Sequence, residues 1–180
     1  MHNLEVRRYN APCGMLLLAA ADGRICLCDW DTAGRGAVIQ RVMREIHVEP
    51  CPADSEILDV AEQCLDEYFA GRRTSFRMPL LRVGTDFQKR VWDELLNIPY
   101  GKTISYSELA ARLGMPQAVR AVAGACRANA MSVLIPCHRV VAKNGALTGY
   151  AGGVDAKKFL LIHEKSVVDV TKHCPSASNK

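Results

Sequence analysis

The run Ile135-Pro136-Cys137-His138-Arg139-Val140 sets a thiol beside an imidazole. A free cysteine has a pKa of about 8.5 and is only a few per cent ionised near neutral pH, so it needs a base before it can attack. His138 can take the proton, and a carboxylate can hold the imidazole in place. Glu164 is the candidate, at the end of a predicted helix that runs from Asp155 through Phe159, Leu160 and Ile162. Neighbours on an extended strand point to opposite faces, so Cys137 and His138 need a bridging water or a local turn to share a proton. The residue types leave two chemistries open: attack on an acyl carbon, as in a cysteine hydrolase, or attack on an alkyl carbon. A structural cysteine next to a surface histidine would account for the same pattern with no chemistry.

A second constellation lies just upstream. Ser105 and Glu108 form a capping-box pattern before a short helix that ends at Gly114, and Pro116 is predicted to open another helix through Ala128. Two short helices joined by a tight turn containing glycine are the grammar of a helix-turn-helix. On the second helix Val119, Val122 and Cys126 share a side expected to face the core. Ala118, Ala121, Ala125 and Ala128 form a smooth second stripe, with Arg120 and Arg127 standing between the two. Such a helix is either a solvated surface element or one that can lie close against DNA.

The remaining elements must position these groups. Met15 to Ala20 and Ile25 to Trp30 flank Asp22-Gly23, a hairpin signal that places Cys26 and Cys28 on one strand face. Asp54 or Ser55 can cap a helix through Ile57, Leu58, Ala61, Cys64, Leu65 and Tyr68, with Gly71 ending it. Arg72 to Gly84 reads as a basic connection between lobes. Beyond it, Thr85 and Gln88 repeat the capping box before Phe87, Val91 and Leu95. The expected division is therefore an N-terminal domain over 1–80, a C-terminal domain over 81–167 and a polar tail over 168–180.

Composition narrows the classes. With 49% hydrophobic and 23% charged residues in 180, the chain can bury a core and is not a disordered protein. A net charge of +4 is compatible with nucleic acid without demanding it. No apolar run reaches the roughly 20 residues that span a bilayer, and the start lacks a secretory pattern. Eight scattered cysteines then point to a reducing compartment, cytoplasmic, or nuclear in a eukaryote. No cysteine or histidine set completes a zinc site, so neither metal nor cofactor is expected.

From Gly84 to Glu164 the chain is similar to the O6-alkylguanine-DNA alkyltransferases, most closely their stand-alone bacterial form. GTDFQKRVW, IPYGKTISYSELA, AVRAVAGA, IPCHRVV, GYAGG and KKFLLIHE follow in the family's order. The resemblance implies an α+β, ribonuclease H-like N-terminal domain and a mostly helical C-terminal domain with a helix-turn-helix. It implies a monomer that approaches double-stranded DNA from the minor groove and flips out O6-alkylguanine, with O4-alkylthymine a further candidate. Cys137 would accept the alkyl group once and for all, with His138 its base and Glu164 orienting His138. Asn129 would tie the motifs together, and Tyr106 would donate to the flipped base. Arg120 would fill the vacated stack, with Ala121, Gly124 and Arg127 along the DNA. The carbonyls of Cys137 and Val140 would receive the guanine amine, with Tyr150, Ala151 and Gly152 walling the pocket. Relatives usually carry Gly-Asn-Pro at the hinge, where this chain has Ala128-Asn129-Ala130. Ala151 stands where some members have serine.

Overall fold

The computed structural model describes residues 4–46, 50–51 and 55–173. Asp54, the alternative helix cap, and residues 174–180 of the expected tail lie outside the described residues, while 168–173 are helical. The described chain is a mixed α/β structure with a small sheet and six α-helices.

Strands β1 (Leu4–Ala11), β2 (Gly14–Ala21) and β3 (Arg24–Trp30) form an antiparallel meander. The β2–β3 turn has Asp22 and Gly23 at φ 53° and 67°, the paired left-handed conformation for which Asp-Gly is suited. Helix α1 (Gly36–Ile46) leads to β4 (Pro50–Cys51), which adds parallel to β1 and completes the order β3-β2-β1-β4. Helix α2 (Glu56–Phe69) follows, starting after Ser55, whose side chain makes no capping bond. Patterning anticipated β2, β3 and α2 but passed over β1, β4 and α1.

Alternation along β2 feeds two clusters. Leu16, Leu18 and Ala20 join Leu58, Ala61, Leu65 and Tyr68 of α2, whereas Ala19 and Ala21 join Val42 and its neighbours on α1. The helices thus cover opposite faces, and each large side chain fully buried there contributes roughly 1.5–3 kcal/mol. The expected shared face of Cys26 and Cys28 does not hold. A β-bulge opposite Ala19 and Ala20 inserts Cys26 as an extra residue, so Cys26 packs with the α1 cluster and Cys28 with the α2 cluster.

The connection over 72–84 lies along the open edge of β3. Ile25 N–H donates to Pro79 O at 3.0 Å, and Leu81 N–H to Ile25 O at 2.7 Å. Beyond it come α3 (Asp86–Leu96), β5 (Ile104–Ser105), α4 (Tyr106–Arg112), α5 (Val119–Arg127), β6 (Val140–Val141) and α6 (Gly153–His173). Both expected capping boxes, Thr85 with Gln88 and Ser105 with Glu108, are formed. Strands β5 and β6 pair in parallel.

Three sequence readings are corrected. Helix α5 begins at Val119, because Pro116 and Gln117 form a turn in which Ala118 N–H donates to Met115 O. Ala125 is buried with Val122 and Cys126, Ala118 and Ala128 are half-buried, and Trp92 Nε1 donates to Ala125 O at 2.9 Å. The smooth exposed stripe is therefore Ala121 and Gly124. Helix α6 runs on to His173, so Glu164 lies inside it and not at its end. The α2-facing cluster crosses both halves of the chain, holding Leu16, Trp30 and Tyr68 together with Trp92, Val122 and Leu160.

Candidate active site and nucleic-acid interface

Cys137, His138 and Arg139 form a single 3-10 turn after Pro136, so Cys137 and His138 do not alternate across the two faces of an extended strand. All three are buried. The turn is clamped from upstream by Asn129, which is also buried. Its Nδ2 donates to Ile135 O at 3.0 Å and to Cys137 Sγ at 3.3 Å, and its Oδ1 accepts from Met131 N–H. Burial pushes the Cys137 thiol above its ordinary range, and the Asn129 donor opposes this.

His138 Nε2 lies 2.8 Å from Glu164 Oε1. The carboxylate is saturated with donors. Arg139 grips both oxygens, Tyr68 OH reaches Oε1 at 2.8 Å, and Gly101 N–H reaches Oε2 at 2.9 Å. Burial alone would raise the Glu164 pKa, but His138 and Arg139 together hold it well below the carboxylate range. Gly101 has φ 71°, and a Cβ there would meet Val168 at 2.8 Å, so only glycine brings this N–H so close. Burial lowers the His138 pKa against the pull of Glu164. A neutral ring facing an ionised carboxylate carries its proton on Nε2, which leaves Nδ1 as an acceptor. Nδ1 is buried and makes no hydrogen bond.

Around this centre Tyr106 is half-buried at the start of α4, its phenol pushed up to about 12 by burial. It is therefore a donor, not a phenolate, at neutral pH. Tyr150 stands edge-on to His138, with ring centroids 6.3 Å apart. The Cys137 carbonyl accepts from Val140 N–H, and Val140 O accepts from Lys157 Nζ at 2.6 Å. Each carbonyl keeps a second lone pair for an incoming donor. A cleft of about 240 Å³ is lined by Gly34, Arg35, Arg127, Gly149, Tyr150 and Ala151. Arg120, Ala121, Gly124 and Arg127 are exposed along one side of α5, and open space lies over Gly124.

Several residues in this arrangement escaped the sequence reading. Arg139 sits in the motif itself. Lys157 is seven residues before Glu164 on α6, two turns along the same helix face, a spacing that could have flagged it. No local signal marks the N-terminal contributors. Arg35 forms a buried ion pair with Asp29 and donates to Arg127 O and Asn129 O, each at 2.6 Å. Arg41 donates to Ala128 O, Cys28 N–H to Ala130 O, and Ser132 Oγ to Asp29. The hinge Ala128-Asn129-Ala130 is thus held from outside. Ala128 has ordinary helical dihedrals (φ −77°, ψ −6°), so the absent glycine is not needed.

Among the described residues no group of three or more His, Cys, Asp or Glu could hold a metal ion, and no helix is long and apolar enough to cross a membrane. The family described as 6-O-methylguanine DNA methyltransferase, DNA binding domain, matches residues 86–166. The constitutive methylated-DNA–protein-cysteine methyltransferase of Bacillus subtilis is 52% identical over 106 residues, 58% of this chain and 64% of that protein. The chain thus spans just under two thirds of this relative. The methylated-DNA–protein-cysteine methyltransferase of Mycobacterium tuberculosis is 45% identical over 139 residues, 74% of this chain and 84% of that protein. The crystal structure of Mycobacterium tuberculosis OGT in complex with DNA superimposes with a TM-score of 0.76 at 39% identity, over 91% of this chain and 94% of that one.

Proposed function

The chain belongs to the methylated-DNA–protein-cysteine methyltransferases, and from that premise we propose that it repairs DNA by moving an alkyl group from O6-alkylguanine onto Cys137. The observation that carries this reading is the buried Cys137 beside His138, whose Nε2 is held by Glu164 and whose Nδ1 is unpaired.

As the thiol attacks, its proton passes through a bridging water to His138 Nδ1. The sulfur–carbon bond forms as the carbon–O6 bond breaks, and guanine leaves with its charge eased by the Tyr106 hydroxyl. Asn129 keeps Sγ in place, and the carbonyls of Cys137 and Val140 receive the guanine amine. Tyr150, Ala151 and Gly152 wall the pocket. A thioether has no ready reverse reaction, so each molecule acts once.

The target carbon is buried in the duplex, so the nucleotide must be flipped out, at a cost of a few kcal/mol. Helices α4 and α5 act as a helix-turn-helix entering from the minor-groove side. Ala121 and Gly124 permit close approach, Arg127 meets the backbone, and Arg120 fills the vacated stack. The meander with a parallel fourth strand supports a ribonuclease H-like N-terminal domain over 1–80, followed by a transferase domain over 81–167. The protein acts as a monomer in the cytoplasm, or the nucleus of a eukaryote.

Duplex DNA carrying labelled O6-methylguanine tests the reading. Label should move to the protein, saturate at about one methyl per chain and map to Cys137. Sustained turnover, or undiminished transfer by Cys137→Ala, would overturn it.

A further inference from the structure

Trp30 ends β3, in the half of the chain away from the Cys137 turn, and is 1% exposed. Its indole stands edge-on to Tyr150, with centroids 6.0 Å apart and planes at 71°. Tyr150 in turn stands edge-on to His138. The loop carrying Tyr150 presses on the same indole at Gly152, where a Cβ would lie 2.5 Å from Cδ2 and Cε2. From another direction Gly14 approaches, where a Cβ would sit 3.2 Å from Cζ3. The indole is thus wedged between two glycine backbones: a side chain at position 152 would clash with it outright, and one at position 14 would crowd it. Neither the indole N–H nor the Tyr150 hydroxyl makes a hydrogen bond, so packing holds this contact.

We propose that Trp30 is a specificity-determining residue that limits the size of the alkyl group the protein accepts. Resting on the assignment of Tyr150 and Gly152 to the substrate pocket, the argument is steric. A bulky adduct on the attacked carbon needs Tyr150 or its loop to retreat from His138. Trp30 is what they would retreat into, and close-packed interiors yield little to added volume. The N-terminal half therefore sets the reach of a pocket whose chemistry belongs to the C-terminal half. Trp30 touches no reacting atom in this scheme; it acts by backing Tyr150.

The test measures single-turnover transfer from duplex DNA carrying O6-methylguanine or O6-benzylguanine, with wild type, Trp30→Leu and Trp30→Phe. Removing the indole should raise the benzyl-to-methyl rate ratio at least about tenfold in Trp30→Leu, the scale on which apolar pockets discriminate volume. Trp30→Phe should shift the ratio in the same direction by less. An unchanged ratio, or equal slowing of both adducts, overturns the proposal and assigns Trp30 to folding alone. Should Trp30→Leu fail to fold, Trp30→Phe decides by the same criterion. If wild type transfers from neither adduct, the function itself is refuted; if it transfers from both and the ratio stays fixed, only the role of Trp30 falls.

Discussion

Cys137 rests in surroundings that oppose its ionisation, since burial raises the thiol and one Asn129 donor only partly offsets this. In the proposed transfer the thiol therefore gives up its proton during attack, and the reaction depends on an acceptor that is neutral beforehand. His138 meets that need because burial lowers its pKa below the usual 6.5. The sign follows directly. Transfer should hold level as pH falls from about 8 to about 6.5, and decline only below that, as the imidazole takes up its own proton. Single-turnover rates across this range check it, and a decline beginning above neutrality would refute the assignment of His138. Stability follows the same inequality. Below about 6.5 the unfolded chain binds a proton that the folded histidine resists, so acid destabilises the fold from that point down. Glu164 is different in kind, because it also neutralises Arg139. Glu164→Gln should cost about 3–5 kcal/mol of stability by leaving a buried guanidinium unpaired, whereas His138→Ala removes no charge partner. Both should slow transfer, with a combined loss less than the product of the two. Melting curves and rates for the two single variants and the double variant separate these contributions.

Helix α5 shows what can and cannot be read from a chain at the scale of an element. Its alternation placed Val122 and Cys126 in the core, and the capping boxes of α3 and α4 marked where the preceding helices start. Its first turn was misplaced because Pro116 suits a helix start but here serves the turn before it. Ala125 was misassigned because alanine is compatible with either face, and only Trp92, donating to its carbonyl, settles its place. The support of the helix end could not be read at all. Arg35, Asp29 and Arg41 lie some ninety positions upstream, and their geometry exists only once the sheet is folded. The same holds for Val133, whose φ of 71° strains a β-branched residue two positions before Ile135 with no local signal. Two outcomes follow for this helix. Arg35→Leu strands Asp29 as a buried charge and frees two carbonyls near the end of α5, so it should lower stability by about 3–5 kcal/mol and weaken repair of duplex. Denaturant unfolding measures the first effect directly. Arg120→Ala acts elsewhere, being exposed, and should leave the melting temperature unchanged. It should slow repair of duplex strongly but barely alter reaction with free O6-benzylguanine, which needs no flipping. Equal slowing on both would remove Arg120 from the DNA-facing role and return it to the active site or the fold.

At the scale of the whole molecule, the two halves share their interior and their polar ties. Tyr68 of α2 donates to Glu164 of α6, His163 Nε2 lies 2.7 Å from Tyr68 O, and the Cys28 N–H on β3 donates to Ala130 O after α5. One apolar cluster holds Leu18 and Leu65 from the first half with Trp92 and Leu160 from the second. Separating the halves would expose those surfaces together. It would also take the Tyr68 hydroxyl away from Glu164 and release the carbonyls of Arg127, Ala128 and Asn129. Each buried acceptor or donor left unsatisfied costs about 1–3 kcal/mol, a large fraction of the roughly 5–15 kcal/mol that holds a domain together. The protein should therefore unfold as one cooperative unit, despite a sequence that divides readily near residue 80. Calorimetry should give a single transition whose calorimetric and van't Hoff enthalpies agree. A fragment beginning at Gly84 keeps Cys137, His138, Glu164 and helices α4 and α5, yet it should melt far below the intact chain. It should transfer methyl groups slowly, because Asn129 and the turn it holds lose their anchor. Adding the first half back as a separate chain should restore part of both. Two resolved transitions in the intact protein, or a fragment with full stability and full rate, would show that the halves are independent and that the first only accompanies the chemistry of the second.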